Sequence, residues 1–172
     1  IQQFISFVRH GREEPRTWQD VNSLIQQVAD SANQAERIHC LFSKVPRMKI
    51  RALGFKRMMG NLVQNSLKYT KERVWIESSV ENQQLILRVF DEGEGIEENK
   101  LEELFQPFKR GDEARGGKGS GLGLAIVRRI AEMHYGKVIM KNRKEGGLET
   151  IIYLPIDPRI ALPMSSSTEE FS

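Results

Sequence analysis

KRGDEARGGKGSGLGLAIVRRI, residues 109–130, is the stretch on which the reading of this chain turns. Glycines fall at 116, 117, 119, 121 and 123, and Leu122, Leu124, Ala125, Val127 and Ile130 then recur at helical spacing. Glycine lets a backbone approach a ligand closely and adopt positive φ. A helix start presents unpaired N–H groups and the positive end of the macrodipole. Joined, the two make an anion site, and phosphate is the obvious anion. Lys109, Arg110, Arg115 and Lys118 add four cations within ten residues. The competing reading is a surface loop in front of an ordinary helix. Either way, a loop so rich in glycine and charge is expected to be mobile when empty.

Working outward, Phe105 and Phe108 flank Pro107 just before this segment. They suit either a latch for a mobile lid or a satellite of the core. Earlier comes FDEGEGIEE, residues 90–98, a strand ending in Asp91 and followed by Gly93 and Gly95. A carboxylate there can accept a hydrogen bond from an exocyclic amine such as adenine N6. An acidic turn at a sheet's end is the plainer alternative.

Earlier still is GFKRMMGNLVQNSLKYT, residues 54–70. Helical spacing puts Phe55, Met58, Met59, Leu62, Ser66 and Tyr69 on one stripe, with Asn61, Asn65 and Lys68 on a polar stripe beside it. Asparagine is a poor helix former, so two of them flush with an apolar stripe suggest work other than folding. A carboxamide oxygen is a hard, neutral donor suited to Mg²⁺, which needs few protein ligands when phosphates and waters complete its octahedron. Lys68 can offset phosphate charge as a point cation. Tyr69 is either a ring for a base to lie against or part of the core.

The 172 residues suffice for one domain with a sizeable core, and 39% hydrophobic with 28% charged is an ordinary globular balance. Net charge +3 with interleaved acids does not argue for a nucleic-acid partner. The single cysteine, Cys40, excludes an internal disulfide and a cysteine-rich metal site, and in IHCLF it reads as a buried small hydrophobe on a strand. No run approaches the roughly 18 apolar residues of a membrane span. The absence of a starting methionine suggests a fragment, so nothing follows about membrane segments of a parent protein.

Residues 1–11, IQQFISFVRHG, have helical spacing closed by Gly11, as at the end of a longer helix. Asp20 can cap a helix bearing Val21, Leu24, Ile25, Val28 and Ala32. Strands are predicted over 36–42 and 47–50, then a helix over 51–69, strands over 73–81 and 84–90, and a short acidic helix over 97–104. The helix after the glycine-rich segment should stop near Gly136. Strands over 137–142 and 148–154 follow, joined by a turn at Glu145-Gly146-Gly147. The tail, ending SSSTEEFS, is polar and expected to be disordered. There is no internal repeat. Hairpin strands interspersed with three long helices indicate an α+β, two-layer sandwich, its mixed and mostly antiparallel sheet covered on one face by helices. Neither a dinucleotide fingerprint after a strand nor a GKS/GKT phosphate loop is present.

The order Asn-xxx-Asn-xx-Lys-Tyr, Asp-x-Gly-x-Gly, Phe-xx-Phe and GSGLGL at a helix start resembles the ATP-binding catalytic domain of sensor histidine kinases. These belong to the wider gyrase, Hsp90, histidine kinase and MutL superfamily. The likeness covers about residues 14–157, and the run FQPFKRGDEAR with GSGLGLAIVRRI particularly resembles the EnvZ-type bacterial osmosensors. It implies the Bergerat ATP-binding fold and three parts: the end of a dimerisation helix and connector over 1–13, the catalytic domain over 14–158 and a tail over 159–172.

It also implies roles. Asn65 would hold Mg²⁺, Asn61 would orient or activate the reacting group, Lys68 would contact phosphate and Tyr69 would stack on adenine. Asp91 would bond the adenine amine, with Gly93, Gly95 and Ile96 shaping that wall. Phe105 and Phe108 would control an ATP lid over about 109–118 that carries Lys109, Arg110 and Lys118. Gly119, Ser120, Gly121, Leu122, Gly123 and Leu124 would cradle the triphosphate. The implied reaction transfers the γ-phosphoryl of ATP to a histidine on an upstream dimerisation domain, for relay to a response regulator. The parent would be a homodimer of the inner membrane with this domain in the cytoplasm. None of His10, His39 and His134 sits in a phosphoacceptor context, so the acceptor is expected outside this chain. A nucleotide-dependent binding module, or an ATPase of the gyrase or chaperone type, would use the same motifs without phosphotransfer.

Overall fold

A computed structural model describes residues 13–105, 123–157 and 159. Helix α1 (Val21–Ser31) starts as its cap predicts, with the Asp20 carboxylate accepting from the Ser23 N–H at 3.1 Å. Such a cap stabilises by about 1 kcal/mol. Helix α2 (Ala52–Tyr69) buries Phe55, Met58, Met59, Leu62 and Val63. The stripe drawn from sequence continues to Tyr69, but that residue ends the helix and is 41% exposed. The acidic helix divides into α3 (Glu98–Leu101) and a 3-10 turn, Glu102–Phe105. Helix α4 (Gly123–Met133) is apolar on most of its circumference and packs chiefly on α2.

Strand β1 (Thr17–Gln19) pairs antiparallel with β3 (Met48–Ile50) as a small separate ribbon. Sequence reading did not foresee β1, because three residues carry no usable period. The main sheet holds β2 (Ile38–Phe42), β4 (Val74–Glu81), β5 (Gln84–Asp91), β6 (Lys137–Asn142) and β7 (Leu148–Pro155). Its order is β2-β4-β5-β7-β6, parallel only between β2 and β4. Alternation sends Val74, Ile76, Leu85, Leu87, Val89, Ile152 and Leu154 into the core beneath the three long helices. The mixed, mostly antiparallel two-layer architecture is thus the one expected. Cys40 packs half-buried at the core's edge, where burial pushes its thiol pKa up.

Helix α4 ends at Met133, and the left-handed residue that closes it comes one position before Gly136. Tyr135 adopts the left-handed conformation (φ 62°), and the Gly136 N–H closes on the Ala131 carbonyl at 2.8 Å. A cation at a helix C-terminus would suit the dipole, yet His134, just past the end of α4, is not placed as one. It is 1% exposed, its Nδ1 lies 2.8 Å from the Ile130 carbonyl, and its Nε2 accepts from the Arg51 N–H at 3.0 Å. That pairing needs the neutral ring. Burial holds the pKa below the ordinary 6.5, with Arg16 and Arg51 adding to it and the Ile130 carbonyl and Glu14 opposing it. Desolvation outweighs the dipole here.

The folded state therefore binds fewer protons than the unfolded chain just below pH 6.5. The urea midpoint should be flat above neutrality and fall as pH drops below that value. His134→Gln should flatten the slope below that value; an unchanged slope would place the titration elsewhere.

Candidate functional site

The end of α2 and the loop after β5 enclose a cleft of about 610 Å³. Tyr69, Thr70 and Glu72 form one wall, and Gly93, Gly95, Ile96 and Lys100 form the other. This volume falls within the range typical of small-molecule sites. The exposed Tyr69 ring at the rim excludes the core reading of that residue. Arg37 fixes its wall by donating to the carbonyls of Leu67, Thr70 and Glu72, the last at 2.8 Å. These carbonyls belong to the exit of α2, where helix C-terminal acceptors lack intrahelical donors.

Asp91 stands behind the opposite wall, 3% exposed. Its Oδ1 accepts from the N–H groups of Gly93 at 2.9 Å and Leu148 at 3.3 Å. Among the described residues Oδ2 accepts no hydrogen bond. A Cβ on Gly93 would press Thr70 Oγ1 and Asp91 Oδ1 at 3.0 and 3.1 Å, so glycine there gives the carboxylate room.

Asn61 and Asn65 occupy the same face of α2 earlier along the helix, both half-buried. Asn61 Nδ2 donates a long bond of 3.4 Å to the Gly123 carbonyl, where α4 starts. The Asn65 carboxamide, one turn further along α2, carries no hydrogen bond among the described residues, which leaves a hard neutral oxygen on that face. This donor fits Mg²⁺ held mainly by waters and phosphates. Among the described residues no group of three or more His, Cys, Asp or Glu could hold a metal ion.

Other expected residues stand apart. The Lys68 ammonium lies 5.9 Å from the centroid of the Tyr69 ring. Phe105 is a core residue with the Arg128 guanidinium over its ring at 4.4 Å. The Leu124 side chain is buried, so only its backbone could meet a ligand. Gly123 is exposed, and a Cβ there would meet open space. Phe108, Lys109, Arg110, Lys118, Gly119, Ser120, Gly121 and Leu122 lie outside the described residues.

Sequence reading missed the β6–β7 turn as part of the site. Arg143 Nη1 donates to the Asp91 carbonyl at 3.0 Å, with its guanidinium 4.3 Å from the Phe90 ring centroid. Gly147, at φ 91°, lets the turn press against the Asp91 backbone. The paired glycines at 146 and 147 are the available signal, and by themselves they indicate only a hairpin turn.

Residues 50–158 match the model of the histidine kinase-, DNA gyrase B-, and HSP90-like ATPase family. The chain belongs to that family. Sensor histidine kinase GtrS of Pseudomonas aeruginosa is 37% identical over 137 residues, covering 79% of this chain and 28% of the relative. Sensor histidine kinase CpxA of Escherichia coli is 37% identical over 58% of this chain and 22% of the relative. The chain therefore spans roughly a quarter of the length of these relatives. Among solved structures, the catalytic domain of histidine kinase ThkA superposes with TM-score 0.72 at 28% identity, covering 84% of this chain and 97% of that one. The histidine kinase domain of the E. coli osmosensor EnvZ gives TM-score 0.65 at 31% identity, over 92% and 97%. The ATPase-family domain here is thus of the kind found in sensor histidine kinases. Among the described residues, no helix is long and apolar enough to cross a membrane.

Proposed function

We propose that this domain binds Mg-ATP and transfers the γ-phosphoryl group to a histidine on a dimerisation domain preceding it, for relay to a response regulator. The carrying observation is Asp91: two backbone N–H groups hold Oδ1, which leaves Oδ2 to accept from the amine of adenine. Tyr69 offers its ring to the base from across the cleft. Domain limits of 14–158, between a dimerisation helix and a tail, follow from the family resemblance. So does a homodimeric inner-membrane parent with this domain in the cytoplasm.

The chemistry asked of the chain is positioning and charge neutralisation. Asn61 orients the reacting end near the start of α4; a carboxamide cannot take a proton at neutral pH, so it is not a general base. Lys68 swings from Tyr69 to the phosphates as a flexible cation. Backbone N–H groups from Gly119 to Leu124 cradle the phosphate oxygens, with Lys109, Arg110 and Lys118 closing over them and Phe105 and Phe108 anchoring the lid. Asn65 would hold Mg²⁺, which supplies Lewis-acid neutralisation of the phosphate oxygens.

Neither described histidine suits phosphoacceptance: His39 lies against Trp75 on β2, and His134 is buried. Isolated chain given γ-labelled ATP should remain unlabelled. Added dimerisation domain bearing the acceptor should gain acid-labile phosphohistidine. Asn65→Ala should lower that transfer on the order of a hundredfold without shifting the thermal midpoint appreciably. ATP binding with no transfer to any such domain would favour a nucleotide-dependent binding module. Full transfer by Asn65→Ala would remove the metal role.

A further inference from the structure

We propose that Asn142, at the end of β6, is a positioning residue that sets the adenine-side wall of the cleft. This rests on the nucleotide-site reading above. Its carboxamide pairs with the Ile96 backbone in both directions: Oδ1 accepts from the Ile96 N–H at 2.9 Å, and Nδ2 donates to the Ile96 carbonyl at 2.6 Å. One side chain thus replaces a missing ladder partner for a loop that joins no sheet. Loop backbone normally takes such bonds from water or from its own turn, and an external clamp removes that freedom.

The clamp sits where the wall is most shaped. Gly95 adopts φ 81°, and a Cβ on it would fall 2.5 Å from Asn142 Oδ1. The carboxamide where it stands leaves no room for a Cβ at 95, which gives the second glycine of Asp-x-Gly-x-Gly a packing reason in addition to its conformational one. Gly95, Ile96 and Glu97 all line the cleft.

The same hairpin also holds Asp91. The Leu148 N–H reaches Asp91 Oδ1 at 3.3 Å, and Arg143 reaches the Asp91 carbonyl at 3.0 Å. Asn142 and Leu148 are register partners across β6 and β7. A single cross-strand pair thus sets the separation between the amine acceptor and the Gly95–Ile96 wall. A base bonded to Asp91 would lie against that wall, so Asn142 should govern base recognition rather than phosphate binding.

The test titrates ATP and GTP onto the chain with Asn142→Ala and Asn142→Ser, alongside amide exchange at Ile96. Asn142→Ala should weaken ATP about tenfold and leave GTP within about twofold, collapsing base selectivity, because two part-buried hydrogen bonds are lost from the wall alone. Ile96 exchange should quicken at least tenfold. Asn142→Ser, which keeps a shorter donor and acceptor, should recover part of the selectivity, and it serves if the alanine variant fails to fold. ATP and GTP weakening together, or an unchanged ratio, would overturn the role. Asp91→Asn separates the two ideas. Wild-type ATP affinity in that variant would overturn the nucleotide site and this role with it. Loss there, with selectivity intact in Asn142→Ala and Asn142→Ser, would overturn Asn142 alone.

Discussion

Asp91→Asn is expected to weaken ATP binding about a hundredfold while the domain stays folded. The side chain is isosteric, and an amide oxygen can keep both backbone bonds that Oδ1 now accepts from Gly93 and Leu148. Keeping them forces the new NH₂ into the place of Oδ2. A donor then faces the adenine amine, itself a donor. A charge-assisted hydrogen bond, worth about 1.5–3 kcal/mol, is lost, and an unpaired pair of donors replaces it. GTP, which carries a carbonyl where adenine has its amine, should lose less. Fluorescence titration with both nucleotides, beside a thermal midpoint, reads this directly. Unchanged ATP affinity in a folded Asp91→Asn chain would remove the adenine site from this end of β5.

Gly147→Ala should destabilise the domain by about 3–5 kcal/mol, a midpoint drop of about 10 °C. A methyl there would sit 2.0 Å from the Asp91 carbonyl oxygen and 2.7 Å from its carbon, and φ is 91°. The obstruction is backbone on β5, the strand between β4 and β7, so it cannot swing away as a side-chain tip would. Relief requires opening the β6–β7 turn, which breaks the Leu148 and Arg143 contacts to Asp91 and the site with them. Gly60→Ala is the matched control. A Cβ at Gly60 meets nothing within 4 Å inside α2, so that change should stabilise by about 0.5–1 kcal/mol. Equal midpoints for the two variants would show that the close approach at Gly147 is absent.

The half of the site carried on α2 was legible because helical periodicity alone puts Asn61 and Asn65 on one face. Asp91, Gly93 and Gly95 were legible for a similar reason, since a strand end and its turn are local events. Tyr69 was ambiguous in sequence, as a stripe says nothing of where a helix leaves the core. The state of His134 was not legible, because position at a helix end favours a charge and only burial reveals the desolvation that opposes it. Asn142, Arg143 and Arg37 gave no signal. Each acts through hydrogen bonds to backbone groups, which leave no trace in residue type.

Helix registers, the Asp20 cap, the hairpin turns and the order of the nucleotide motifs were determined by the sequence by itself, since each depends on dihedral preference and spacing within a few residues. Tertiary structure alone decided that the β6–β7 turn braces Asp91 and Ile96, that β2 joins β4 in parallel, and that His134 is neutral between α2 and α4. The contacts to Asp91, Ile96 and His134 join residues 57, 46 and 83 positions apart, and β2 pairs with β4 across 36. Their free energy, and the desolvation that sets the state of a buried ring, exist only once the sheet and helices have closed on one another.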